Sequence, residues 1–185
     1  MQPVLVRNRG FAHVSEVEAK AMWSVARKSS IRLLIKLLWF TGLRISEALN
    51  LLAKDCRQNG NDFSLSVTRE KRQKDKKPEW LPVPRELGYD IKDYINQLDL
   101  RPSDKLFNIH RSSAWRQVRL YARKAGLENW QDIHPHSFRH GFVYDKVKKG
   151  INPYVLSRLA GHININSTLH YYHPTEADLR QAMEA

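Results

Sequence analysis

The chain has one cysteine, Cys56, among its 185 residues. An internal disulfide needs two, so no disulfide framework is available, and no cysteine pair exists to begin a zinc ribbon. A reducing environment suits such a chain. Long apolar runs are missing as well. The most apolar stretch, IRLLIKLLWF, is short and is interrupted by Arg32 and Lys36, whereas a membrane-spanning helix needs roughly 20 apolar residues. The N-terminal MQPVLVRNRG shows no apolar core behind a basic flank, so neither a signal peptide nor an anchor is read there. No unit repeats at a period of about 20 to 50 residues and no segment is of low complexity, which excludes solenoids and arrays. Acidic residues are scarce: 19 Asp and Glu face 31 Lys and Arg, leaving a net charge of +12 and a pI near 10.0. A polyanionic partner is therefore expected.

What is present suffices for one core, since 42% of the residues are hydrophobic. Most of the chain reads as helix. Ser15 followed by Glu18 has capping-box spacing, with Val17, Ala21 and Val25 recurring at helical intervals. A second helix from about Ser30 presents Ile31, Leu34, Ile35, Leu38 and Trp39 and stops at Gly42. Phe63, Leu65 and Val67 alternate with polar residues, and Trp80 to Pro84 gives a second extended piece, so a small hairpin is predicted. Its tip, Arg69 to Lys77, carries six basic and two acidic residues.

Further helices are expected around Ile91, Tyr94, Ile95 and Leu98 and from Ser112 to Gly126, the latter with Arg116, Arg119, Arg123 and Lys124 on its outer side. His136 to Lys149, Pro153 to Ala160 and a stretch from Thr175 read as short helices, with a turn near Ser167 to Tyr172. The fold class is mainly α (α+β), a single helical domain with one small antiparallel sheet.

Six of the eight histidines fall between 134 and 173, beside Arg139, Tyr171 and Tyr172. His136 and His140 have the i, i+4 spacing of zinc ligands. No glutamate follows the first to act as base, however, and the guanidinium of Arg139 would repel the cation. Phosphate chemistry suits these residues better. His136 and Arg139 share a helix face and can offer an imidazole and a forked guanidinium to one anion. Arg44, just past a helix-ending glycine, is a candidate for the second guanidinium that a pentacovalent phosphorus requires. With arginines and histidines nearby and no acidic metal site, a tyrosine is a fitting nucleophile for phosphoryl transfer without ATP.

Three ordered blocks, TGLRISEAL (41–49), HPHSFRHGF (134–142) and LAGHININSTLHYYH (159–173), make the chain resemble the tyrosine recombinase (phage integrase) family from about Ser15 to His173. The resemblance implies Arg44 and Arg139 as catalytic arginines, with Glu47 bracing the site and His140 in support. It implies His136 as the proton acceptor and His162 as a phosphate ligand. The family's nine-residue step from His162 reaches Tyr171 as nucleophile, with Tyr172 as the fallback. It further implies a lysine in the hairpin that protonates the leaving 5′-oxygen. Lys71 is chosen by its position after the first strand; Lys74, Lys76 and Lys77 remain alternatives.

The implied reaction cuts and rejoins double-stranded DNA through a 3′-phosphotyrosine, with no metal and no nucleotide cofactor. Arg69, Arg72, Lys74, Arg116, Arg119 and Arg123 are expected DNA contacts. A homo-oligomer on DNA, a dimer or tetramer, is implied, together with accessory DNA-bending proteins and a cytoplasmic, prokaryotic, phage or mobile-element setting. The C-terminal stretch 174–185, with Leu179 and Met183 on one face, is a candidate for docking on a neighbouring protomer.

Most relatives carry a helical DNA-clamping domain ahead of the catalytic one, whereas about fourteen residues precede the first helix here. The expectation is a short form like the fimbrial phase-variation invertases, or a catalytic domain separated from its clamp. DNA held by charge alone would be released steeply with salt. A DNA-binding regulator without cleavage and a type IB topoisomerase are the competing readings.

Overall fold

The computed structural model describes residues 12–69, 78–172 and 176–184. The elements run α1 (Glu16–Ser24), α2 (Ser29–Thr41), α3 (Ile45–Leu49), a 3-10 turn (Ala53–Asp55), β1 (Cys56–Asn59), β2 (Asp62–Val67), β3 (Glu79–Val83) and α4 (Arg85–Gln97). They continue with α5 (Arg111–Lys124), α6 (Pro135–Lys148), α7 (Pro153–Ala160), α8 (Asn166–Leu169) and α9 (Glu176–Glu184). The mainly helical class with one small antiparallel sheet is as the sequence indicates.

Helix α2 is the centre of the core. Its predicted inner face is buried, and Leu33 and Leu37 are buried with it, because α1, α4, α5 and α6 all pack on it. Lys36 escapes by pairing with Asp90 at 2.7 Å and Glu86 at 3.0 Å on α4. Gly42 caps the helix in the left-handed region at φ 61°, the conformation glycine adopts at least cost.

Two predicted faces need correction. The capping box at Ser15 forms, with the Glu18 carboxylate accepting from the Ser15 amide at 2.7 Å, but α1 buries Ala19 and Met22. Val17 is 77% exposed instead. The small Ala19 and the flexible Met22 fit the face that packs on α2, and the stiff, β-branched Val17 turns outward. Helix α4 ends at Gln97, and Leu98, expected on its inner face, is exposed at the cap.

The sheet has three strands in the order β1-β2-β3, all antiparallel, with Leu65 opposite both Cys56 and Leu81. Strand β2 alternates as expected, burying Phe63, Leu65 and Val67. Strand β1 is absent from the sequence reading because CRQN has no apolar alternation and its last three residues are exposed.

Helix α6 packs against the segment before α1, where the Val14 amide donates to Ser137 O at 3.0 Å. Gly141 makes this possible: a Cβ there would lie 1.9 Å from Val14 O. Helix propensity alone favours Gly141→Ala by about 1 kcal/mol, yet the clash is with backbone and cannot be relieved by a rotamer. The variant is expected to lose about 1–3 kcal/mol net, a fall in Tm of roughly 3–10 °C, by thermal melting.

Candidate active site

The turn after α2 places Arg44 at the N-cap of α3. Its Nη1 donates to Glu47 Oε1 at 2.8 Å and its amide to Glu47 Oε2 at 2.9 Å. The Glu47 side chain is fully buried. Arg139, from α6, is 6% exposed and donates through Nη1 to Gly42 O at 2.9 Å. Its Nη2 is buried with no hydrogen-bond partner among the described residues. Desolvation, then the charge of Arg44, pushes the Arg139 pKa down to about 10. Crowded guanidiniums with an unsatisfied buried donor form a site short of an anion.

The tyrosine stands beside them. Tyr171, which follows α8, is half-buried, and its hydroxyl is hydrogen-bonded to His140 Nδ1. Burial raises the phenol's pKa, opposed by the charge of Arg139. Both rings pack on the cluster of Phe142, Val147 and Leu156, but the Tyr172 hydroxyl differs in donating to Ile151 O. The sequence reading gives His136 as the partner of the phenol. His140 occupies that position instead, one turn further along α6, while His136 is exposed. A ladder of rings runs from Trp115 through His134, His136 and His140 to Tyr171, with neighbouring centroids 6.1–6.4 Å apart.

His162 follows the α7 C-cap Gly161, and its Nδ1 lies 2.6 Å from the Thr168 hydroxyl. Thr168 is fully buried and was not singled out in the sequence. Partial burial, reinforced by surrounding cationic groups, pushes both His140 and His162 down to about 4 from an ordinary 6.5. Between these limits the unfolded chain binds two protons that the folded one refuses. Stability therefore falls as pH drops from 6.5 towards 4, each imidazole contributing roughly 1–2 kcal/mol after solvent screening. Denaturant titrations across this range should show the slope, and His140→Gln or His162→Gln should reduce it.

The expected DNA contacts divide. Lys71, Arg72 and Lys74 lie outside the described residues, as do the alternatives Lys76 and Lys77. Arg69 is 4% exposed. It donates to Glu47 Oε2 at 3.3 Å and to Leu159 O at 2.8 Å, so it belongs to the interior of the site and not to an outer basic face. Arg116 and Arg123 are exposed on α5. Arg119 lies over Trp115, 4.3 Å from the ring centroid. A cleft of about 650 Å³, lined by Arg119, Asn129, Gln131, Asp132, His134 and His140, connects this helix to the tyrosine's partner.

The architecture and the convergence of Arg44, Arg139, His140, His162 and Tyr171 define one class of protein: residues 13–178 match the phage integrase family, and the chain belongs to it. It is 34% identical over 150 residues to a tyrosine recombinase of Pseudothermotoga lettingae, covering 79% of this chain and 50% of that protein. It is 31% identical over 182 residues to the tyrosine recombinase XerA of Pyrococcus furiosus, covering 92% and 60%. The chain thus spans about half to three-fifths of the length of these curated relatives. Among solved structures, it superposes on the XerH site-specific recombinase bound to difH substrate with a TM-score of 0.78 at 22% identity, covering 93% of this chain and 53% of that one. The catalytic domain of bacteriophage HP1 integrase gives 0.64 at 22% identity, with 95% of both chains covered. No helix among the described residues is long and apolar enough to cross a membrane.

Proposed function

We propose that this chain is the catalytic domain of a site-specific DNA recombinase that cuts and rejoins double-stranded DNA through a 3′-phosphotyrosine. The observation that carries the reading is the pairing of the Tyr171 hydroxyl with a neutral imidazole, His140, beside Arg139, whose buried Nη2 has no hydrogen-bond partner among the described residues. A scissile phosphate seated on Arg44 and Arg139 would supply the missing anion.

Tyr171 Oη then attacks phosphorus in line, and its proton passes to His140 Nδ1, already hydrogen-bonded to it. As the bond to O5′ breaks, the charge on the two non-bridging oxygens is met by Arg44, Arg139 and His162. The Thr168 hydroxyl, 2.6 Å from Nδ1, would donate to it in the tautomer in which His162 presents Nε2–H to the phosphate. His136, exposed beside Arg139, is a further donor. The departing O5′ takes a proton from a hairpin lysine, Lys71 by its place in the sequence, leaving a free 5′-hydroxyl. Reversal by a new 5′-hydroxyl rejoins the strand, the phosphotyrosine conserving the bond energy.

Arg116, Arg119 and Arg123 would track the DNA backbone along α5. The exposed Leu179 and Met183 of α9 support docking on a neighbouring protomer in a dimer or tetramer on DNA. Accessory DNA-bending proteins would assist in assembling paired sites. Plasmids bearing two copies of the DNA flanking the gene test the reading. A recombinase exchanges the segment between the copies and needs both. Relaxation of supercoils on any plasmid without exchange points to a topoisomerase, and binding without either product to a regulator.

A further inference from the structure

Arg69 stands in a basic stretch that reads as a DNA-facing hairpin tip, yet it is 4% exposed and its guanidinium is engaged inside the protein. We propose that Arg69 is a positioning residue for the cleavage site, fixing Glu47, and through it Arg44, relative to His162. The inference rests on the recombinase reading above and assigns a role that neither the motifs nor the family blocks contain.

The side chain joins three parts of the fold. One guanidinium nitrogen donates to Glu47 Oε2 at 3.3 Å, while the other oxygen of that carboxylate receives Arg44 Nη1 at 2.8 Å. The second donates to Leu159 O at 2.8 Å. This is among the last carbonyls of α7, which the helix itself leaves unsatisfied. A cation there complements the helix's negative end. Nε lies 3.8 Å from Glu79 Oε2 on β3.

His162 begins two residues after α7 ends, and its amide returns to Ser157 O at 2.9 Å. The turn between them is Gly161, in the left-handed region at φ 66°. A Cβ at Gly161 would stand 2.7 Å from Cζ and Nε of Arg69. The guanidinium thus lies close against the backbone that aims His162. Stability alone does not demand this arrangement, because a well-packed apolar group serves a buried site as well as an ion pair. What arginine adds is a rigid fork that fixes two acceptors in one plane. Here the two acceptors belong to the supports of two different phosphate ligands.

The test is single-turnover cleavage of nicked duplex at saturating DNA, together with DNA affinity across a salt series, for wild type, Arg69→Gln, Arg69→Lys, Glu47→Gln and the Arg69→Gln/Glu47→Gln double variant. Misplacing phosphate ligands should slow Arg69→Gln by about 10- to 100-fold. Its Kd should stay within about twofold of wild type and its salt slope should not change, since no phosphate contact is lost. Arg69→Lys keeps the buried charge but not the fork and should fall in between. Because Arg69 works by linking Glu47 to the backbone that aims His162, a link that either single variant breaks, the double variant should be slower than Glu47→Gln by no more than about twofold.

A wild-type rate in folded Arg69→Gln or in Arg69→Lys overturns the proposal, and so do independent, multiplying losses in the double variant. Weaker binding with a salt slope reduced by about one would make Arg69 a direct phosphate contact and overturn it too. If Arg69→Gln fails to fold, Arg69→Lys alone decides by the same rate and affinity criteria. Absence of any cleavage by wild type overturns the recombinase reading itself, which is a separate result.

Discussion

Tyr171→Phe is expected to abolish strand cleavage, lowering the single-turnover rate by at least about 10⁴-fold, while leaving DNA binding intact. The variant removes one oxygen, the atom that in the proposed mechanism forms the covalent bond to phosphorus. The ring still fills its place beside the cluster of Phe142 and Leu156, so the fold and the basic face on α5 are preserved. Tyr172→Phe gives the contrast. It loses a hydrogen bond to Ile151 O, worth about 1 kcal/mol of stability, and should retain cleavage. Gel-shift affinity and rate measured on the same nicked duplex separate the two variants. Equal loss in both would mean that the local backbone matters more than the identity of the nucleophile.

Arg139→Ala should lower the cleavage rate by about 10²- to 10³-fold, equivalent to about 3–4 kcal/mol of transition-state stabilisation. The side chain is tied to Gly42 O by Nη1, which leaves a buried Nη2 with no hydrogen-bond partner among the described residues. Arg139→Lys keeps a charge but cannot serve the carbonyl and the phosphate together, so most of the defect should remain. A lysine variant with the full wild-type rate would show that the carbonyl tether is dispensable. Neither substitution should raise the DNA Kd strongly, because the exposed arginines of α5 proposed to contact the outer phosphates are untouched.

Much of this site was legible in the sequence because its chemistry is local. The i, i+3 pair His136 and Arg139 and the place of Arg44 just past Gly42 are set within one helix or turn, whereas Glu47 and the nine-residue step from His162 to Tyr171 come through the family resemblance. What the sequence concealed depends on contacts between distant segments. Arg69 looks like any other cation in a basic run, and only the approach of α7 and α3 buries it. His136 and His140 lie on adjacent turns of α6, so spacing alone did not decide which meets the phenol. Thr168 is a threonine in a polar turn until α8 folds back onto His162.

The fold shows the same division. Strand β2 was readable from its alternation, whereas β1 exists only as the partner that β2 recruits through the turn at Gly60. In α1 the valines gave a persuasive helical stripe, but close packing on α2 selected Ala19 and Met22 instead.

The most direct measurement is a search for SDS-resistant protein–DNA adducts on nicked duplexes cut from the DNA flanking the gene, followed by peptide mapping of any adduct. A nick just beyond the cleavage point lets the short 5′-hydroxyl fragment diffuse away and traps the covalent step. The account predicts a 3′-phosphate ester on Tyr171, absent from Tyr171→Phe. Tight, salt-sensitive binding with no adduct on any fragment, or an adduct mapped to Tyr172, would contradict it.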